Sequence, residues 1–321
     1  MYIRTDLAIE AKEMYSINNV ASGDPDGVVS HTEKKENATI TTVDIINESG
    51  VKKLNKPIGK YITVESSVLK NLDPKETNSM SYLIKEQLLK VIKPNKDNTV
   101  LIVGLGNWNI TPDALGPKVV SQIMVTKHLK KYIPEYIDED LCSVCAISPG
   151  VMGLTGVETG DIISGIVKKI NPSHVIAIDA LASKNPKRIS TTVQITDTGI
   201  TPGSGVGNKR EALNSETLGV PVVAIGVPTV VDAVSIASDM INRLYVDVDE
   251  NSEFGNAVKK LKEKNQDALI NKVIDNENQN LMVTPKEIDN VITHISKVIS
   301  NGINLALHPD IDLEYIESFI F

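Results

Sequence analysis

The sequence predicts an α/β fold, with a mostly parallel or mixed central sheet and helices on both faces. Three observations predict it. The runs "TVLIVGLG" (99–106), "SHVIAIDAL" (173–181) and "VPVVAIGVPT" (220–229) are apolar without alternation, as strands buried on both faces are. Stretches with apolar side chains at helical spacing separate them. With 41% hydrophobic and 23% charged residues over 321 positions, the chain can bury a core of that size.

In chain order, residues 1–38 are polar and irregular, and "ASGDPDGVVSHTEKKEN" reads as loop. "ATITTVDII" (38–46) and "KYITVES" (60–66) alternate Thr and Val with apolar residues, as half-buried strands do. "NSMSYLIKEQLLKVIK" (78–93) sets Leu83, Leu88, Leu89 and Ile92 near one helical face. After the 99–106 strand, "DALGPKVVSQIMVTKHLKKY" (113–132) reads as one helix with Pro117 in its first turn. "CSVCAIS" is a strand, "GDIISGIVKKI" a helix, and "TTVQITDTG" (191–199) an alternating edge strand. "DAVSIASDMINRLY" is helical, as are "NAVKKLKEKNQDALINKVI" and "TPKEIDNVITHISKVISNGINLAL". The expected organisation is one domain: a core over 7–250 with N-terminal strands, and a helical extension over 251–321.

Charge and composition exclude some functions. A net charge of −8 argues against direct nucleic-acid binding. No run of eighteen apolar residues is present, so no membrane span is expected. The N-terminus lacks the apolar segment of a secretory signal, which reads as a cytoplasmic protein. Cys142 and Cys145 form Cys-x-x-Cys, but no second pair or neighbouring histidine completes a metal site. Their strand would put them on opposite faces, as structural thiols. His31, His128, His174, His294 and His308 show no metal-binding spacing, so neither metal nor cofactor is expected.

Two glycine runs offer a nucleotide- or phosphate-binding alternative. In "GLGNWN" (104–109) the third glycine of the dinucleotide fingerprint is replaced by Asn109. In "TPGSGVGNKREA" (201–212) the Gly-Lys-Ser/Thr of a phosphate loop is replaced by Gly207-Asn208-Lys209-Arg210. This run reads either as a surface loop or as a mobile wall of a cleft.

The carboxylates carry the sharper reading. Asp179 ends an apolar strand in "VIAIDALAS", where aspartate is costly unless compensated. Asp113 follows another apolar strand across a glycine turn. In an open α/β sheet, ligands bind beyond the carboxyl ends of the strands. Were these strands neighbours, both carboxylates would meet at one cleft, and their pKa values would separate. One could then act as base on water and the other as acid, as amide hydrolysis requires. The plainer alternatives are a helix N-cap for Asp113 and a turn cap for Asp179.

"GLGNWNITPDALGP", "VIAIDALAS", "PGSGVGNKR" and "VPVVAIGVPTVVDA" resemble the germination protease family, as do "TTVDIINESG" and "KPIGKYITVES". The resemblance spans nearly the whole chain and weakens after about residue 250. It implies a fold similar to the hydrogenase-maturation proteases, and an endopeptidase that degrades small acid-soluble spore proteins in the spore core. It further implies Asp113 and Asp179 as the essential pair, a homotetramer, and an inactive precursor that removes its own N-terminus. Family substrates are cut after an acidic residue that follows Thr or Ser, before an apolar residue and Ala. Thr5-Asp6-Leu7-Ala8 has that form, which makes residues 1–6 the expected prosegment, cut between Asp6 and Leu7. An acidic side chain needs a donor-rich pocket. Lys184, Lys187, Arg188, Lys209 and Arg210 follow the relevant strands and are the candidates for it.

Overall fold

The computed structural model describes residues 5–19, 23–70, 73–136, 138, 140–204, 210–247 and 281–320. Among these residues nine strands form one mixed sheet. They are β1 (Val28–Lys35), β2 (Ala38–Ile45), β3 (Gly59–Glu65), β4 (Thr99–Gly104), β5 (Ser143–Ile147), β6 (His174–Ser183), β7 (Thr192–Thr196), β8 (Val222–Asp232) and β9 (Met282–Val283). The order across the sheet is β1-β2-β3-β7-β8-β6-β4-β5, and β9 pairs with β8. The block β8-β6-β4-β5 is parallel. The block β1-β2-β3-β7 is antiparallel and joins β8 antiparallel.

Side-chain parity divides the core between two faces. Ile102, Ile176, Ile178, Val223, Ile225, Val193, Ile195, Ile62 and Val64 point into one cluster. It is covered by α3 (Pro74–Leu88), α4 (Leu115–Val120) and the C-terminal helix Ile288–Leu307. On the other face, Leu101, Val103, Val175 and Ala177 pack with Ile163 and Val167 of the helix Thr159–Ile170. The antiparallel end of that face holds α1 (Ala8–Asn19) and α2 (Glu48–Leu54) through Ala8, Val43, Ile45, Leu54 and Tyr61. Cys142 belongs to the first cluster and Cys145 to the second, so the two thiols lie on opposite faces.

The remaining helices, in chain order, are α5 (Lys127–Tyr132), α6 (Met152–Thr155), α7 (the Thr159–Ile170 helix), α8 (Ser215–Leu218), α9 (Ala233–Asp247), α10 (the Ile288–Leu307 helix) and α11 (Leu313–Ile320). No helix among the described residues is long and apolar enough to cross a membrane.

Four expectations are corrected. The polar N-terminal stretch is not all loop, since it contains α1 and β1. β1 is an edge strand with most of its residues exposed, so it lacks the apolar alternation that marks a half-buried strand. The helix expected over 113–132 is broken at 121–126, where tertiary bonds replace helical ones. There the Met124 N–H donates to Asn304 Oδ1 at 3.0 Å and the Thr126 N–H to the Val144 carbonyl at 3.0 Å. The strand in 191–199 is interior, between β3 and β8. It alternates because Val193 and Ile195 enter the core while Gln194 faces α1. Finally, α10 is no appendage, because Ile292, Ile295, Ile299 and Ile303 are fully buried in the main cluster. The helix expected over 256–274 lies outside the described residues.

Candidate active site

Strands β4 and β6 are parallel neighbours, with Gly104 opposite Ile178. The Leu105 N–H continues the ladder by donating to the Ile178 carbonyl at 2.8 Å. β4 therefore ends level with Asp179, while β6 runs on to Ser183. Asp179 is thus within its strand rather than at its end, and by strand alternation it shares the face of Val175 and Ala177.

The turn after β4 supplies the second carboxylate. Gly106 has φ +107, and a Cβ there would stand 2.0 Å from the Asp113 carbonyl oxygen. Only glycine permits that approach. The closed turn carries a 3-10 segment over Thr111–Asp113. The Asn107 N–H donates to Asp113 Oδ2 at 2.8 Å and to the Asp113 carbonyl at 3.1 Å. Asp113 is no N-cap, since Ala114 occupies that position of α4 and no side chain caps it. The Gly104 and Gly116 backbones are in contact, so both glycines serve the packing of α4 on the strand ends. That accounts for the glycines at 104 and 106 without a nucleotide. Gly207 and Lys209 of the second glycine run lie outside the described residues.

The structure brings Asp113 and Asp179 close enough to interact electrostatically. Burial pushes Asp113 up to about 6, against the opposing hydrogen bond from Asn107. Asp179 is buried, and desolvation, then the charges of Asp113 and Asp6, push it well above the ordinary carboxylate range. The Ala180 N–H, donating to Asp179 Oδ1 at 2.9 Å, opposes this only in part. Two coupled carboxyls of this kind share one proton over a wide pH range.

Asp6 belongs to the same site. Its N–H donates to the Ala182 carbonyl at 3.0 Å, and the Ala182 N–H donates to Asp6 Oδ2 at 2.9 Å. Ser204 Oγ donates to Asp6 Oδ1 at 2.8 Å. On the other side of the peptide, Leu7 is fully buried and packs with Ile9, Leu181 and Ile200. The chain then enters α1, whose Ala8 N–H is satisfied by Gln194 Oε1 at 2.8 Å. A cleft of about 910 Å³ opens beside this segment, lined by Asp6, Lys56, Gln194 and Ser204 among others. Neither Asp113 nor Asp179 is on its wall.

The five candidate cations are dispersed. Arg188 is buried and bonded to Glu10 at 3.4 Å, Glu13 at 2.6 Å and Glu65 at 2.8 Å. Burial works against its charge, but the bonds and charges of Glu13 and Glu65 outweigh that and hold it protonated. It fastens α1 to the body and is not offered to Asp6. Lys184 contributes its backbone N–H to Glu10 at 2.7 Å, and Lys187 is exposed. Arg210 pairs with Glu158 at 3.3 Å, and Lys209 is outside the described residues. The groups that do hold Asp6, namely Ala182, Ser204, Lys56 and Gln194, were not singled out from the sequence. Gln194 had one visible signal, as the amide in a strand of Thr, Val and Ile. Among the described residues no group of three or more His, Cys, Asp or Glu is arranged to hold a metal ion.

The germination protease family model matches residues 8–252 and 242–320. The chain belongs to the germination protease family. A germination protease of Clostridium tetani is 47% identical over 100% of both chains. One from Clostridium perfringens is 46% identical over 99% of both. The family member from Bacillus cereus is 42% identical over 97% of this chain and 95% of its own. Among solved structures, a [NiFe] hydrogenase maturation protease from Thermococcus kodakarensis aligns with 41% of this chain and 74% of its own, at 21% identity and a TM-score of 0.26. Membership in the germination protease family makes this chain a protease.

Proposed function

We propose that this protease is an endopeptidase made as a zymogen, which first cuts its own Asp6–Leu7 bond and then degrades small acid-soluble spore proteins during germination. In this reading Asp113 and Asp179 activate the water. Asp113, with its pKa at about 6, is the ionised base at neutral pH. Asp179, held well above the carboxylate range, keeps its proton and is the acid.

One observation carries the reading. The peptide whose sequence matches the substrate pattern is seated against β6, the strand that carries Asp179, with the acidic side chain on donors and Leu7 among apolar side chains. The charge of Asp6 reaches Asp179. A tethered substrate so placed holds the substrate's position against β6 until it is cut, which is how a zymogen would stay inactive. The spore core as location and a homotetramer as assembly are part of the same proposal.

The test uses Asp113→Asn and Asp179→Asn, each incubated with purified small acid-soluble spore proteins. Both are expected to leave the substrate intact while wild type cuts after acidic residues. A folded variant that retains wild-type cleavage would remove its aspartate from the role.

A further inference from the structure

The Asp6–Leu7 peptide is gripped by its carbonyl as well as by its side chains. Lys56 lies in the turn between α2 and β3. Its Nζ donates to the Asp6 carbonyl oxygen at 2.9 Å and to the Thr5 carbonyl oxygen at 3.3 Å. Gln194 Nε2 donates to the same Asp6 oxygen at 3.3 Å.

Both donors are held in place. Asn55, in the left-handed region at φ 51, ends α2 immediately before Lys56. Pro57 follows, with its carbonyl fixed by the Tyr61 hydroxyl at 2.9 Å. The Gln194 amide is oriented by the Ala8 N–H on its oxygen, which leaves the nitrogen to face Asp6. Register places it as well. Asp179 pairs with Gly226, and Gly226 pairs with Gln194, so the three residues form one row across β6, β8 and β7. The middle position carries no side chain, and Leu181 folds over it. Enclosure of Lys56 depresses its pKa, and the charges of Asp6 and Glu10 oppose that effect. Lys56 is half-buried on the cleft wall, and a charge partly withdrawn from water acts on a neighbouring charge more strongly than one fully in it.

We propose that Lys56 and Gln194 form the oxyanion site for cleavage after Asp6, and for the matching bond of substrates. The inference rests on the dyad reading above. In the first step ionised Asp113 takes a proton from water, and the water oxygen bonds to the Asp6 carbonyl carbon. The carbonyl electron pair moves onto the oxygen that Lys56 and Gln194 already hold. In the second step the carbonyl re-forms, the C–N bond breaks, and the proton of Asp179 passes to the Leu7 nitrogen. The products are a chain ending in the Asp6 carboxyl and a chain beginning with the Leu7 amine. The dyad still holds one proton, now on Asp113. Charge leaves Asp113 and appears on the carbonyl oxygen, and Lys56 is the cation facing that oxygen. Preorganised donors so placed stabilise the transition state more than the ground state.

The test is Lys56→Met in the full chain, with Lys56→Gln as a second variant that keeps a neutral donor. The readouts are the first-order rate of self-cleavage by mass, and kcat and KM of processed enzyme on a peptide containing Thr-Asp-Leu-Ala. Lys56→Met is expected to lower kcat about 100- to 1,000-fold with KM changed by less than about threefold, and Lys56→Gln to fall between. Either variant with wild-type kcat, or with its whole loss in KM, would overturn the proposal. Asp113→Asn and Asp179→Asn run alongside. If they are dead while Lys56→Met is fully active, only the oxyanion assignment fails. If they are active, the dyad reading fails and takes this assignment with it.

Discussion

Asp6 is clasped by Ala182 through two hydrogen bonds, one to its backbone and one to its side chain: Asp6 N–H to the Ala182 carbonyl at 3.0 Å, and Ala182 N–H to Asp6 Oδ2 at 2.9 Å. One residue of β6 thus aligns the chain and also reads the acidic side chain. Ala182 can do this because β4 ends at Gly104, opposite Ile178, so β6 has no β4 partner at Ala182.

Ser204 completes that recognition with its bond to Asp6 Oδ1 at 2.8 Å. A hydrogen bond to a charged group contributes about 1.5–3 kcal/mol. Because Ser204 is exposed, the low end applies. Ser204→Ala is expected to reduce kcat/KM on substrates cut after Asp by about tenfold. It should affect a substrate cut after Asn much less, so the ratio of the two measures acid recognition directly.

The glycine turn sets the geometry of Asp113. Gly106→Ala places a methyl 2.0 Å from the Asp113 carbonyl, at φ +107. The strain costs about 1–3 kcal/mol. The turn is expected to open and activity to fall by more than the loss of stability explains. Denaturant melts and kcat measured on the same preparation separate the two effects.

The two carboxylates stood out in the sequence because aspartate inside or just after an apolar strand contradicts its surroundings. The parallel half of the sheet was legible for a related reason, its strands being apolar throughout. The rest was hidden for physical reasons. β1 is polar because it lies at an edge, and β7 alternates like an edge strand although it is interior. Its second face, carrying Gln194, looks into the site rather than into solvent. The acid-reading donors were sought among lysines and arginines, but β6 supplies a backbone N–H and the turn at 202–204 a serine. A backbone amide has no sequence signature. Arg188, the most conspicuous loop cation, is instead saturated by Glu10, Glu13 and Glu65.

Ionised carboxylates enclosed together are costly to the native state. With Asp113 at about 6 when folded and 3.8 as its ordinary value, the folded chain binds the extra proton between those pH values. Stability therefore falls as pH rises through that window, and the full cost is present at neutral pH. Asp113→Asn is expected to be more stable than wild type at neutral pH, by about 1–2 kcal/mol after allowance for partial exposure. The gain should vanish near pH 4. Urea melts at the two pH values check it, and equal stability at both would contradict the raised pKa.

The same titration shapes the rate. The dyad needs Asp113 ionised, so the acid limb of kcat/KM is expected near pH 6, from the value of about 6 for Asp113. Any gain in self-processing on acidification is therefore confined to pH values above that limb. A rate that keeps rising well below it would mean that a different group acts as base.

The central claim is that the Asp6–Leu7 bond is cut by the Asp113–Asp179 pair of the same protein. It is tested most directly by the N-terminal mass of the full chain after incubation at neutral and mildly acidic pH, with Asp179→Asn treated in parallel. The expected result is loss of residues 1–6 from wild type, leaving Leu7 at the N-terminus, and an intact Asp179→Asn chain. A wild-type chain that stays intact at both pH values while it digests small acid-soluble spore proteins at full rate would contradict the claim.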